Sequence, residues 1–122
     1  MRTLSSDKKT RLYADERDAD NGNASHRYCI QYDRKEEYDE FPSVSTQVLY
    51  FQTGPVTEAG PNGVTNEILL TIVADRLEGF QTGPFANDFN KTALEHIHEA
   101  LKALEARTAD RIARGVEGTN QV

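Results

Sequence analysis

Residues 26–32 alternate between two sides. Tyr28, Ile30 and Tyr32 fall on one, Arg27, Cys29 and Gln31 on the other, which is the period of a half-buried strand. Residues 44–53 repeat the pattern with apolar groups on both sides. Val48 and Tyr50 share one side, and Leu49 and Phe51 share the other with Gln47. This predicts a strand covered on both faces, by helices or by another subunit. The charged segment 33–39 reads as a turn or hairpin tip, closed by Phe41-Pro42, and Pro42 points to a strand start or edge. Gly54-Pro55 and Gly60-Pro61-Asn62-Gly63 are turn signals framing Val56-Thr57-Glu58, which reads as a third strand.

The period then changes. Ile68, Leu69, Ile72, Val73 and Leu77 lie on one side of a helix, with Thr65 or Asn66 as N-cap, Glu67 in the first turn and an end near Gly79. Phe80-Gln81-Thr82-Gly83-Pro84 is a tight connection, and Asn87 or Asp88 caps a longer helix running to about Arg114, with Gly115 past its end. Along it Leu94, Ile97, Leu101 and Leu104 form a seam at 3-4-3 spacing, and Arg107, Arg111 and Arg114 continue at 4 and 3 along nearly the same side. The apolar part demands a partner helix, and the arginines demand an anion. Phe-Gln-Thr-Gly-Pro occurs twice, at 51–55 and 80–84, but ends a strand once and a helix once, so it marks turns rather than a repeat.

The pattern therefore predicts an α+β fold: a small antiparallel β-sheet followed by an αα-hairpin with a long C-terminal helix. Residues 1–25 carry Leu4, Leu12 and Tyr13 as their sizeable apolar groups and read as a polar, loosely docked arm. The other reading is a first strand packed on a neighbouring subunit. Residues 26–64 form the sheet region and 65–122 the hairpin and tail, within one domain.

With 37% hydrophobic residues in 122, the chain is lean for an autonomous core, which predicts self-association. The net charge of −6 argues against duplex nucleic acid as a partner, though not against a small anion held by clustered arginines. Cys29 is the one cysteine, so no intrachain disulfide forms, in keeping with a reducing cytosol. The opening residues lack the apolar core of a signal peptide, and no run approaches the ~18 residues of a membrane span.

The arginine seam has two readings. Cations favour the negative end of a helix dipole, and Asp110 can pair with Arg107 or Arg114. Alternatively, the guanidinium groups grip phosphate oxygens. Phe80 and Phe85, flanking Gln81, either plug the interhelix turn or offer a stacking platform for a base. Asn87 caps, and Asn90 is either solvated or reads a base edge or ribose hydroxyl. His96 and His98 lie about 200° apart around a helix and cannot share an ion. Glu95-x-x-His98 occurs once, and the first helix offers only Glu67 or Glu78 to match it, so solvated histidines are expected, with no metal site and no cofactor. Nothing assembles a nucleophile, a base and an oxyanion site, and the pattern is that of a binder rather than an enzyme.

Residues 46–119 contain VLYFQTGP, NGVTNEILLTIVADRLEGFQTGPFA, ALEHIHEALKALEART and ADRIARGVEGT. This segment resembles phage proteins carrying the hairpin domain shared by Thoeris anti-defence protein 1 and anti-CBASS protein 2. The resemblance implies a sponge that holds a cyclic nucleotide immune signal without cleaving it. In the Thoeris branch the signal is a glycocyclic ADP-ribose made by a TIR-domain enzyme in the host bacterial cytoplasm. It also implies pockets between protomers, and hexamers with further pockets for cyclic oligonucleotides. Carried over by position, ligand contacts fall on Phe80 for the base, on Asn90, and on Arg107 and Arg111 for phosphates. Asn87-Asp88-Phe89 stands where the family often has Cys-Arg-Glu, so a cation is lost and Asp88 gained.

Overall fold

The computed structural model describes residues 1–35 and 43–122. Its elements are β1 (Arg2–Ser6), β2 (Thr10–Ala14), β3 (Arg27–Asp33), β4 (Val44–Tyr50), α1 (Val56–Ala59), α2 (Asn66–Gln81) and α3 (Asp88–Ala113). The chain divides into two compact units, Met1–Gly63 and Val64–Val122. The expectations for Glu36-Glu37-Tyr38-Asp39 and for Phe41-Pro42 lie outside the described residues.

The first unit is an antiparallel meander in the order β1-β2-β3-β4. Residues 1–25 are thus not a loose arm, because they supply two of the strands. Composition hid this, since a ladder is made by the backbone and an outer strand tolerates polar side chains. What anchors the segment is register. Leu12 pairs with Ile30 and Ala14 with Tyr28, while Tyr28 pairs in turn with Leu49. Cross-strand partners share a face, and on this face Ala14 is fully buried. Tyr28 meets Phe51 edge-on at 5.3 Å. Cys29, between Tyr13 and Val48, is buried on the opposite face.

Two carboxylates set the outer turns. Asp7 accepts from the Lys9 and Thr10 amides at 2.7 and 2.6 Å, closing the β1–β2 hairpin. Asp18 organises the β2–β3 connection, accepting from Asn21 Nδ2 at 2.8 Å and the Asp20 amide at 3.1 Å. Its own amide donates to the Ala24 carbonyl at 2.9 Å.

Val56–Ala59 forms a helical turn rather than a third strand. Its flanks are tied too closely for an extended segment. Gln52 Nε2 donates to the carbonyls of Gly54 and Gly60 at 3.3 and 2.8 Å, and Gln52 Oε1 accepts from the Asn62 amide at 3.0 Å. Asn62 in turn pairs with Thr53 in both directions, each bond 2.8 Å. Gly63 then passes so close to β4's end that a Cβ there would lie 2.4 Å from the Phe51 carbonyl carbon.

In the second unit Thr65 caps α2, its Oγ1 accepting from the Ile68 amide at 3.2 Å. The helix continues past Gly79 to Gln81, because a helical glycine costs only about 1 kcal/mol and stops nothing by itself. Leu70, Ala74 and Leu77 lie on its less exposed side, and Ala74 is buried. Of the predicted apolar side, Ile68, Ile72 and Val73 are instead exposed at 50%, 59% and 46%. The helix is apolar on more than one side, and α3 covers one of them.

Asn87 caps α3, its Oδ1 accepting from the Asn90 amide at 2.8 Å. Over 26 residues α3 spans about 39 Å. At its far end Gly115, with φ 72°, donates to the Ile112 carbonyl, and Val116 donates to that of Arg111. This pair of bonds is a Schellman stop. The less exposed side of α3 runs through Leu94, Ile97, Leu101, Leu104, Thr108 and Arg111. The seam therefore bends away from Arg107 and Arg114, which are exposed.

Candidate functional site

The hairpin tip gathers the aromatic candidates. Phe80, on the last turn of α2, meets Phe85 at 6.3 Å and 78°. Phe80 is half-buried, whereas Phe85 is 70% exposed. Arg76, one helical turn before Phe80, places its guanidinium carbon 5.0 Å from the ring centroid. Gln81 and Asn87 hold the turn that carries them. Gln81 Nε2 donates to the Asn87 carbonyl and Gln81 Oε1 accepts from the Asn87 amide, both at 3.1 Å. Asn87 Nδ2 donates to the Phe85 carbonyl at 2.9 Å. Gln81 thus acts on the tip as a brace with both ends engaged. Asn90 is half-buried at the start of α3, and its side-chain amide has no partner among the described residues.

The three seam arginines are placed in three different ways. Arg107 is exposed and unpaired among the described residues. Arg114 Nε pairs with Asp110 at 3.0 Å, and its Nη1 donates to the Val122 carbonyl at 2.8 Å. Arg111 is buried. Its Nε donates to Glu117 at 3.0 Å, Nη1 to the Gln121 carbonyl at 2.7 Å, and Nη2 to the carbonyls of Val116 and Thr119 at 2.9 and 3.0 Å. Four of the five guanidinium N–H groups are therefore occupied by the chain's own tail. A buried cation needs such partners, and the Schellman reversal at Gly115 delivers them.

Axial distance separates the two ends of the candidate set. Asn90 and Arg107 stand 17 residues apart on one helix, which is about 25 Å. Phe80 and Asn90 are at one end of the hairpin, and Arg107, Arg111 and Arg114 lie towards the other. Within one chain they do not converge.

The histidine expectation needs one change. His98 is not simply solvated, because its Nε2 lies 3.1 Å from Glu78 Oε1 and links the two helices. Among the described residues no three metal-ligating side chains cluster. No described helix is long and apolar enough to cross a membrane.

Two features escaped the pattern. Arg76 was available as an i, i+4 neighbour of Phe80, a spacing that brings side chains together on a helix. A recess of about 260 Å³ in the first unit is lined by Lys8, Lys9, Asp33, Arg34 and Lys35. Asp33 there pairs with Arg11 at 2.9 Å, a bond that raises the Arg11 pKa. The recess joins a strand end to a turn distant in sequence, so spacing could not reveal it. None of these five described residues is aromatic.

A family model of the Acb2/Tad1 hairpin domain matches residues 46–109. Thoeris anti-defense 1 of Bacillus phage SBSphiJ7 is 51% identical over 71 residues, which cover 58% of this chain and 50% of that relative. The chain thus spans about half the length of the curated relative it matches. The matched segment carries the end of the sheet, the braced 51–63 loop, the hairpin tip and α3 as far as Asp110's neighbour, so the chain belongs to the Acb2/Tad1 hairpin-domain family.

Proposed function

We propose that this chain serves a phage against a bacterial defence system by sequestering a cyclic nucleotide signal, without cleaving it, in the host cytoplasm. The favoured ligand is a glycocyclic ADP-ribose, with cyclic oligonucleotides as a second class. The name of the Bacillus phage relative supports the anti-defence role. Phe80 and Phe85 would receive the base, Asn90 a ribose hydroxyl or base edge, and Arg107 the phosphates. Arg114 would add charge. Arg111 has one N–H left to offer and otherwise fixes the tail beside them.

The observation that carries this reading is the 25 Å or so between Asn90 and Arg107 along α3. One nucleotide reaches both only if the tip of one copy meets the arginine end of another. The exposed Ile68, Ile72 and Val73 give α2 an apolar side for such a second copy. A two-chain pocket with charge-assisted bonds suits slow release and needs no chemistry.

An uptake experiment tests it. The purified protein is incubated with glycocyclic ADP-ribose, freed of unbound nucleotide and heat-denatured, and the supernatant is analysed. Intact nucleotide is the expected result. Cleaved nucleotide would make the protein an enzyme, and no nucleotide would leave an interaction module.

A further inference from the structure

We infer that Arg76 is a phosphate ligand of the same nucleotide that stacks on Phe80, so that one hairpin tip supplies both a base platform and a cation. This rests on the sequestration reading and adds to it a contact from the chain that holds the base.

The geometry is local. Arg76 and Phe80 are both on α2, one turn apart, and the guanidinium carbon stands 5.0 Å from the ring centroid. A cation over an aromatic face is held there by the ring quadrupole. Such a contact is electrostatic and commits none of the guanidinium N–H groups to an oxygen acceptor. Among the described residues no carboxylate or carbonyl takes those N–H groups. This is the reverse of Arg111, whose donors are taken by Glu117 and three tail carbonyls. It also differs from Arg114, which is committed to Asp110 and Val122.

A nucleotide presents an aromatic base and, one sugar away, a phosphate. With the guanidinium over one face of Phe80, the other face is left for a base, and the charge stays within a nucleotide's reach of it. Phe85 stands edge-on to Phe80 and limits how the ring can turn. Arg107, about 25 Å from Asn90 along α3, cannot supply this charge from the same chain.

The test compares Arg76→Met and Arg76→Lys with the unaltered protein by calorimetry with glycocyclic ADP-ribose at several salt concentrations. Methionine keeps an apolar stem against Phe80 and removes the charge. The expected result is binding weakened by about ten- to a hundredfold for Arg76→Met, from the loss of charge-assisted hydrogen bonds. A shallower salt dependence should accompany it, with the melting temperature unchanged. Arg76→Lys should recover part of the affinity. Equal affinity and equal salt dependence in Arg76→Met would overturn the Arg76 assignment while leaving sequestration standing. If the unaltered protein takes up no nucleotide, the sequestration reading fails and this inference fails with it.

Discussion

Arg111 reaches forward along its own chain to Glu117, Nε to carboxylate at 3.0 Å, and in doing so folds the tail back over the end of α3. Three tail carbonyls take three more of its donors. A residue on a helix seam thereby becomes the anchor of a segment that follows it.

Arg111→Ala should therefore destabilise the protein by about 2–4 kcal/mol, since it removes a buried cation together with all its hydrogen bonds. Amide exchange at residues 116–121 should rise with it. Arg111→Lys should recover only part, because an ammonium cannot reproduce the planar fork. Chemical denaturation and hydrogen exchange check both. Unchanged protection at 116–121 in the alanine variant would show that the tail is held by something else.

Much of the second unit was legible, and the reasons are local. Thr65, Asn87 and Gly115 cap α2 and α3 through neighbours three or four residues away, which spacing can display. What period could not decide was which side of α2 is covered. Ile68, Ile72 and Val73 are as apolar as Leu70 and Leu77, yet they lie outside. The first unit was less legible because β2 is held to β3 by pairing across the connection 15–26. Leu12 finds Ile30 through register, and no pattern within residues 1–25 announces it. The Arg76–Phe80 pair was in plain view at helical spacing, whereas Arg111's role depended on a reversal that only the fold displays.

The 51–63 loop offers a sharp contrast between two glycines. Gly63→Ala would set a Cβ 2.4 Å from the Phe51 carbonyl carbon, where the nearest atoms are all backbone of Tyr50 and Phe51 and no flexible side chain can yield. A loss of about 2–4 kcal/mol or failure to fold is expected. Gly79→Ala meets nothing within 4 Å and lies inside α2. It should stabilise by about 0.5–1 kcal/mol, because alanine loses less backbone entropy in a helix. Thermal melts of the two variants should move in opposite directions.

Asp7 and Asp18 should titrate below ordinary carboxylates. The backbone amides of Lys9 and Thr10 hold the Asp7 carboxyl down. For Asp18 the Asn21 amide is the largest cause, followed by the Asp20 amide and His26. A depressed folded-state pKa means that ionisation favours the folded state. That contribution is complete above the unfolded value of ~3.9 and disappears as pH falls through the folded values. Acid should therefore loosen the two turns in a window below about pH 4. Asn21→Ala should raise the Asp18 pKa while leaving Asp7 unmoved, which a carboxyl-carbon NMR titration reads directly.

The separation of Phe80 and Asn90 from Arg107 along the hairpin makes a final expectation quantitative. In a twofold dimer each proposed site takes its aromatic from one chain and its arginine from the other. Phe80→Ala and Arg107→Ala should each abolish retention of glycocyclic ADP-ribose when pure. If the two variants are unfolded together and refolded as a mixture, half of the dimers are mixed. Each mixed dimer carries one site with both substitutions and one with neither. About a quarter of the unaltered protein's capacity should return, by that counting. A site built within one chain would return none, because every chain would carry one lesion. Recovery of capacity therefore reports chain sharing itself, independently of how much either side chain contributes to affinity.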